Sequence, residues 1–382
     1  MEKPIDFKNP NLQEKGFMQK ASELNNSNYW NGSIILVIVL LTSTLAWQCS
    51  KKIDSGASQS LKESLNVSSQ NLNDAVTAIS KSYGYKVLNL NDGSTLKSTL
   101  ADAAFQDSIT LEKIKGVYEY QPVTYRYWCF NCYSKLFKRT GDNSDLIVKL
   151  PEAKVFFPAR FKVVSPSDST LKNNLVVDAS DYHYYFSNGM LWDYKLAANL
   201  TLSDTAIGSI GIQSSRSSGS AYNYASSYGF PNGYNIIVNV KSGDTATSSI
   251  ALSSTTATLF KETVQRIKSS TTMLRERVYL LDVGNVEFKR SSGSDSTKVY
   301  VGGVLQTKAI VEVVDGSGSN GSICGGRDVK VTFDDGTSAL LSTLLGPSLA
   351  ILNNVVVNMQ NVYFAQNIVN YIAFNIFKNN TP

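Results

Sequence analysis

Histidine is almost missing from this chain: His183 is the only one among 382 residues. Serine hydrolases need a histidine as general base, and zinc sites use histidine often. One histidine excludes most nucleophile–base schemes, so paired carboxylates among the 31 acidic residues are the main remaining route to hydrolysis. His183 lies in the alternating segment 182–186, where we expect it to pack in the core or at the rim of a strand.

Clustered positive charge is missing as well. The 36 lysines and arginines and 31 acidic residues give a net charge of +5, which is spread along the sequence. Nucleic-acid-binding proteins concentrate basic residues on one surface, so we expect no nucleic-acid partner. The apolar share of 42% and the charged share of 18% are those of an ordinary globular protein.

Cysteine is scarce, with four residues in all. Cys129 and Cys132 form a C-x-x-C motif that superficially resembles the redox motif of thioredoxin. That motif needs a strand leading into a helix, whereas the tyrosine-rich flanks predict strands or an irregular hairpin. We therefore expect a structural disulfide, either within this pair or from one member to Cys324. A redox centre and a zinc site completed by His183 are the alternatives.

Two other short motifs lack the context that their chemistry needs. Residues 316–321 fit the pattern G-x-G-x-x-G, but they run on towards a strand instead of opening a helix, so we predict a hairpin loop. Asp334, Asp335 and Gly336 predict a turn, because no further carboxylates follow at the spacing of metal ligands. We expect no cofactor and no metal site.

Alternating apolar and β-branched residues dominate the region from about 108 to 335. Clusters of Asn, Asp, Gly and Ser separate the alternating segments, and no regular helix alternates with them. The pattern predicts a mainly β fold with flanking helices, built as an antiparallel meander, a sandwich or a curved sheet. Segment 256–281 fits either a helix or strands. The clearest strands are predicted at 117–120, 146–150, 234–241, 298–301 and 330–333.

Helical periodicity flanks the β region. Five apolar residues at helical spacing predict an amphipathic helix over about 59–82. Residues 336–377 contain no charged side chain, and a helix drawn from 348 to 377 has asparagines opposite its apolar face. We expect that helix to pack across the sheet; docking to a partner or a lipid surface is the alternative. The five apolar residues are Leu61, Leu65, Leu72, Val76 and Ile79.

An uncharged apolar run at 34–47 leads directly into the sequence Cys-Ser-Lys-Lys at 49–52. As a helix its 14 residues reach about 21 Å, which is short for a membrane span of roughly 30 Å and typical of the centre of a secretory signal. A single transmembrane helix is the alternative, because no charge occurs between Glu23 and Lys51.

An apolar core, a short spacer and then a cysteine form the layout of a lipoprotein signal. The segment resembles the lipoproteins of Gram-negative bacteria, particularly of the Bacteroidota type, whose mature chains often begin Cys-Ser-Lys-Lys. The resemblance implies that Cys49 becomes the first mature residue, carries acyl chains and tethers the protein to a membrane. It also implies a location in the cell envelope, at the outer membrane or facing the periplasm.

These patterns divide the chain into five parts. We expect a leader at 1–48, a tether at 49–60, a helical segment at 61–105, a β-rich domain at 106–335 and an uncharged helical segment at 336–382. The small polar residues of the tether suit a flexible linker between membrane and fold.

Aromatic residues spaced by Ala, Ser, Asn and Gly are the best candidates for ligand recognition. Tyrosines on small neighbours offer broad, amphipathic contact area, and we predict a binding loop that stacks on sugar rings or meets another protein. A wide loop folded over the sheet is the alternative. The candidate residues are Tyr222, Tyr224, Tyr228, Phe230 and Tyr234.

Together these features predict a membrane-tethered envelope lipoprotein with a non-catalytic binding or scaffolding role. Its partners would be the membrane, through an N-terminal lipid or helix, and a glycan, lipid or protein ligand. The alternative is an envelope enzyme, either a thiol oxidoreductase that uses Cys129 and Cys132 or a glycosidase that uses paired carboxylates.

Overall fold

The computed structural model of the chain describes residues 60–88, 107–121, 137–152, 172–187, 190–217, 221–268, 275–292, 294, 296–315, 327–359 and 363–380. The predicted signal at 34–47 and Cys49 lie outside these residues, as do Cys129, Cys132, Cys324 and the glycine-rich motif at 316–321. What the sequence predicts for them stays a prediction.

One large sheet of 15 strands dominates the molecule. From β5 to β15 every strand pairs antiparallel with its neighbour in the chain, and β2 and β4 form a parallel pair next to them. The predicted mainly β fold is confirmed, and the observed arrangement is the meander. The strands are β1 (Asp107–Thr110), β2 (Gly116–Tyr120), β3 (Phe137–Gly141), β4 (Leu146–Leu150), β5 (Leu175–Ser187), β6 (Met190–Leu202), β7 (Thr205–Arg216), β8 (Tyr222–Gly229), β9 (Asn235–Ser242), β10 (Thr245–Ser253), β11 (Thr258–Lys268), β12 (Arg275–Val283), β13 (Val286–Ser291), β14 (Lys298–Val301) and β15 (Val304–Leu305).

Short hairpin turns hold the meander in register. The turn between β6 and β7 contains Ser203 and Asp204, whose φ angles are 48° and 62°. Two successive residues with positive φ make a turn whose twist matches that of the flanking strands. The ambiguous segment 256–281 forms strands β11 and β12 on either side of a segment outside the described residues.

A second sheet of three strands follows the meander: β16 (Ile310–Asp315), β17 (Arg327–Thr332) and β18 (Ser338–Leu340). The turn predicted at Asp334–Gly336 joins β17 to β18 and is confirmed. The other strand segments predicted as clearest, including 330–333, also fall on observed strands, to within three residues at each end.

Among the residues that the structure describes, the helices precede and follow the strands, apart from one short helix between β1 and β2. They are α1 (Leu61–Lys81), α2 (Tyr83–Leu88), α3 (Leu111–Ile114), α4 (Leu341–Met359) and α5 (Tyr363–Asn380). Helix α1 lies where periodicity predicts it, and the side chain of Ser60 caps its first turn by accepting a hydrogen bond from the Glu63 backbone nitrogen at 3.2 Å.

The single helix predicted over 348–377 is wrong: two helices, α4 and α5, occupy this region. Helix α4 starts seven residues earlier than predicted. The buried carboxylate of Asp328 on β17 accepts hydrogen bonds from the backbone nitrogen and the hydroxyl of Ser342, which caps the first turn from another element. Among the helices of the described residues, none has the length and apolar character needed to cross a bilayer.

Candidate functional site

The helices lie on one face of the large sheet, which we call the core face. Asn370 on α5 bonds Tyr182 of β5 and Tyr194 of β6, and α2 packs closely against β7. Strand register continues this face from β5 to β14, because residues paired across strands point to the same side. One paired row across the middle of the core face consists of Tyr182, Leu196, Ile212, Ser226, Val238, Ile250, Glu262, Leu281, Phe288 and Val299.

At one end of the strands the core face is sealed, and we call this the closed end. Its paired row is wholly apolar apart from one tyrosine hydroxyl, and every member is at most 3% exposed. Helix α2 approaches so closely that a Cβ on Gly84 would lie 2.1 Å from the Ile207 carbonyl oxygen. The hydroxyl of Tyr228 donates to that same oxygen at 2.9 Å. The row consists of Ile210, Tyr228, Ile236, Leu252, Phe260, Val283 and Val286.

At the other end of β8 to β13 the same face is accessible to solvent, and we call this the open end. Its inner row is half-buried except for Arg290, which is exposed, and its outer row is half-buried or exposed. The inner row contains the valines of this end, and the outer row contains two of its three arginines. The inner row is Tyr224, Val240, Ser248, Val264, Tyr279 and Arg290, and the outer row contains Tyr222, Ser242, Ala246, Arg266 and Arg277.

Burial therefore falls steadily along a single strand. On β11 the core-facing residues are Phe260 and Glu262, at 2% and 3% exposed, then half-buried Val264 and Arg266, and finally exposed Lys268. The core face is thus apolar and buried at the closed end, and rich in tyrosine and accessible to solvent at the open end. Ligand sites have this layout, with apolar walls that carry a few polar groups.

Glu262 is a carboxylic acid in the middle of the apolar row, between Ile250 and Leu281. Burial raises its pKa to about 8, and a hydrogen bond with Tyr279 counteracts part of that rise. Its Oε1 has no hydrogen-bond partner among the described residues. At neutral pH this group is therefore mostly protonated, and it can donate or accept a hydrogen bond on the core face.

Some other buried polar atoms without a hydrogen-bond partner among the described residues lie on the core face or on the helices that cover it, whereas Asp178 Oδ1 and Thr263 Oγ1 lie on the opposite face. Ser226 Oγ belongs to the row of Glu262, and Ser64 Oγ and Ser69 Oγ belong to α1. Native interiors satisfy nearly all such groups, so these atoms indicate contact with something besides the described protein groups. The sequence gives no local signal for them, because only the strand register brings them to one face.

The predicted tyrosine loop is wrong, because residues 222–229 form strand β8. Tyr228 and Phe230 are core residues at 1% and 4% exposure, with ring centroids 4.8 Å apart. Tyr222 and Tyr224 are half-buried at the open end, and Tyr234 is half-buried just before β9. The even spacing of 222, 224 and 228 is the strand signal, since it puts all three tyrosines on the core face.

His183 lies on the face of the sheet opposite to the core face, so the prediction of a core position is wrong. Its Nδ1 is 3.1 Å from Asp193 Oδ2, and both side chains are partly exposed. Neighbouring Lys195 pairs with Asp181 on the same face. This histidine therefore belongs to a row of surface ion pairs.

A pair of carboxylates that sequence alone could not reveal lies on the same opposite face. Asp282 on β12 is directly opposite Glu287 on β13. Burial raises the pKa of Asp282 to about 6; the charge of Lys261 lowers it, and the charge of Glu287 raises it further. Among the described residues, this pair of carboxylates is the one that fits the alternative prediction of a glycosidase, which needs two such groups close together. Within the described ranges, no group of three or more His, Cys, Asp or Glu could hold a metal ion.

The chain matches no protein-family model, no curated protein and no solved structure. Functional inference for this protein therefore comes from its own residues and their geometry.

Proposed function

We propose that this protein is a membrane-tethered lipoprotein of the cell envelope that binds a lipid-like ligand without catalysis. The observation that carries the proposal is the core face of the sheet, which is sealed and apolar at one end and half-exposed and aromatic at the other. Soluble proteins normally cover the apolar face of a sheet, and a contiguous apolar surface left accessible marks a binding site.

The chemistry of the core face favours a lipid over a glycan. Sugar sites need hydrogen-bonding groups throughout, whereas inwards from the serines, tyrosines and arginines of the open end the route passes Val240, Val264 and Val238. Glu262 and Ser226 then supply two polar groups at mid-depth. An elongated apolar molecule with a few hydrogen-bonding atoms fits this order of side chains.

The proposed tether supports the same ligand class. Cys49 is followed by about 11 small or polar residues before α1 begins at Leu61. A flexible chain of that length spans about 18 Å on average, so an acylated Cys49 would keep the sheet close to the bilayer. A membrane-held protein with an accessible apolar face has lipids as its most abundant neighbours.

Attachment is tested in cells that make the protein by labelling with a fatty-acid analogue. We expect label on the wild-type chain and none on Cys49→Ala, because the thiol is the proposed acylation site. An unlabelled wild-type chain that still sediments with membranes would identify the 34–47 segment as a transmembrane anchor, and would overturn lipidation.

Binding is tested with N-phenyl-1-naphthylamine, a neutral apolar dye that fluoresces in apolar sites. We expect saturable binding to the purified full chain. Val264→Gln, at the half-buried open end, should weaken binding about tenfold, because it removes roughly one apolar contact group. The matched control is Ile237→Gln, a half-buried change on the opposite face, which should leave affinity unchanged. Equal effects of the two changes, or no saturable binding, would contradict the proposal.

A further inference from the structure

Glu262 places a carboxyl group at mid-depth on the core face, close to the open end. Its neighbours across the strands are Ile250 and Leu281, and it is 3% exposed. Val264, the next core-facing residue on β11, is half-buried and lies two residues nearer the open end, about 7 Å along the strand. A ligand that enters along the core face from the open end therefore meets this carboxyl group directly after Val264.

The two oxygens of this carboxyl group are bonded differently. Oε1 has no hydrogen-bond partner among the described residues. The hydrogen bond with Tyr279 therefore uses the other oxygen, Oε2, and it lowers the pKa of Glu262, as a hydroxyl that donates to the carboxylate does. A neutral carboxyl group accepts best at its carbonyl oxygen and donates from the other. Tyr279 thus fixes the carbonyl at Oε2 and the proton at Oε1.

The surroundings keep this group neutral. Burial raises the pKa of Glu262 to about 8, so it is mostly protonated at neutral pH. Helix α1 packs against β11, β12 and β13, and its buried residues include no titratable side chain. The described charged residues on the core face of these three strands are basic and lie at the open end, with backbones about 12 Å or more from that of Glu262. They are Arg266, Lys268, Arg275, Arg277 and Arg290.

We infer that Oε1 of Glu262 donates a hydrogen bond to a carbonyl oxygen of the ligand, which is therefore a neutral ester or ketone rather than a plain hydrocarbon. The inference deepens the proposed function, on which it rests, by naming the chemical group that the site recognises. A buried donor without an acceptor is costly, and native interiors satisfy nearly all such groups. A carbonyl oxygen satisfies this donor and brings no further donor into the apolar row, whereas a hydroxyl would.

The test measures how well 2-nonanone displaces N-phenyl-1-naphthylamine from the full chain at about pH 6.5. The dye has no carbonyl group, so it reports on the apolar site alone. We expect Glu262→Met to weaken ketone binding about tenfold, because the donor is lost, and to change dye affinity by less than about twofold. Glu262→Gln should keep the ketone affinity, because its amide can accept from Tyr279 and donate to the ligand.

Raising the pH to about 9.5 gives an independent readout. The wild type loses the Glu262 proton on the way, since the pKa is about 8, and we expect its ketone affinity to fall about tenfold. Glu262→Gln has no such proton, so its ketone affinity should stay constant. The affinity of 2-nonanol for the wild type should fall less, because a hydroxyl can donate to the ionised carboxylate.

Glu287→Met is the matched control. Glu287 is a half-buried glutamate on β13, but it lies on the opposite face of the sheet. Removing its carboxyl group should leave the affinities for ketone and dye unchanged. If Glu262→Met fails to unfold cooperatively, the pH profiles of wild type and Glu262→Gln decide the question.

The outcomes separate the inference from the proposed function. An equal loss of ketone and dye affinity in Glu262→Met would mean that Glu262 acts through packing, and an unchanged ketone affinity would mean that it donates nothing to the ligand. Either result, or a wild-type ketone affinity that is independent of pH, would overturn the hydrogen bond and leave the apolar ligand site standing. A lack of saturable dye binding would contradict the proposed function itself.

Discussion

Strands β5 and β6 belong to the same sheet as β11 and β12, yet the polar groups on their core faces are paired differently. The hydroxyls of Tyr182 and Tyr194 both donate to Asn370 Oδ1 on α5, at 2.9 and 3.2 Å. Glu262 keeps one oxygen without a hydrogen bond among the described residues. The first arrangement fastens a helix onto the sheet, whereas the second leaves a buried carboxyl oxygen without a hydrogen bond from the described residues.

The difference shows that the strands of one meander can be held in different ways. Some are fixed to a helix by buried hydrogen bonds, whereas others carry a buried polar atom without such a bond among the described residues. Under α5 the aromatic rings of Tyr184, Tyr194 and Phe374 meet edge to face, and burial raises the pKa of Tyr184 to about 12. On β11 and β12, by contrast, the core-facing residues next to Glu262 and Leu281 towards the open end are only half-buried. They are Val264 and Tyr279. Helix attachment and solvent exposure are thus separated along the sheet.

The largest expected loss of stability comes from a change at Asn370, which fastens α5 to β5 and β6. Asn370→Leu should destabilise the protein by on the order of 4 kcal/mol, because two buried tyrosine hydroxyls lose their acceptor. Chemical denaturation measures the change. Adding Tyr182→Phe and Tyr194→Phe should restore much of the loss by removing the unsatisfied hydroxyls. Failure of that rescue would mean that Asn370 acts through packing rather than through hydrogen bonds.

Glu262→Gln should stabilise the protein, whereas Asn370→Leu destabilises it, because the glutamine change removes an ionisable group from an apolar row. Burial raises the folded-state pKa of Glu262 from its ordinary value of 4.5 to about 8, so the unfolded chain loses this proton first as pH rises. The wild type therefore loses stability between roughly pH 4.5 and pH 8, and the amide does not. We expect a gain on the order of 3 kcal/mol at pH 7 that vanishes below pH 4.5. A gain that is independent of pH would contradict the assigned pKa.

Gly84→Ala tests whether α2 closes its end of the core face by direct contact. The added Cβ would lie 2.1 Å from the Ile207 carbonyl oxygen, so α2 must move away from β7. We expect a loss of about 2 kcal/mol, typical of forced overpacking, measured by thermal or chemical unfolding. Dye binding should also change if the closed end is part of the ligand site.

Gly346→Ala is the matched glycine change and the smallest effect. This residue lies within α4 just before Pro347, and apart from its chain neighbours and its own helix backbone no heavy atom lies within 4 Å of the Cβ that it would gain. We expect a change of less than about 0.5 kcal/mol, because the higher helix propensity of alanine is opposed by the contact of its Cβ with the proline ring. A loss equal to that of Gly84→Ala would show that any added methyl group is harmful, and would remove the meaning of the comparison at α2.

Local patterns predict the extent of the β region, its five clearest strands and α1, because alternation and helical spacing are properties of short segments. They do not predict the start of α4, since Asp328, which caps it, lies 14 residues earlier on another element. Nor do they find Glu262, whose burial depends on Ile250 and Leu281 in neighbouring strands. The tyrosines of β8 are a case in which the local pattern was sufficient. Their even spacing is typical of a strand, whereas their composition led to the prediction of a loop.

The order of pairing in the large sheet also has a consequence for how the chain assembles. From β6 to β15 each strand pairs, among the described residues, only with its neighbours in sequence, so hairpins can be added one after another with short loop closures. The helix that fastens β5 and β6 is made more than 160 residues after those strands. During synthesis the core-facing tyrosines of β5 and β6 therefore stay uncovered until α5 has been made. A chain stopped before Tyr363 would leave them exposed to solvent, and we expect it to aggregate.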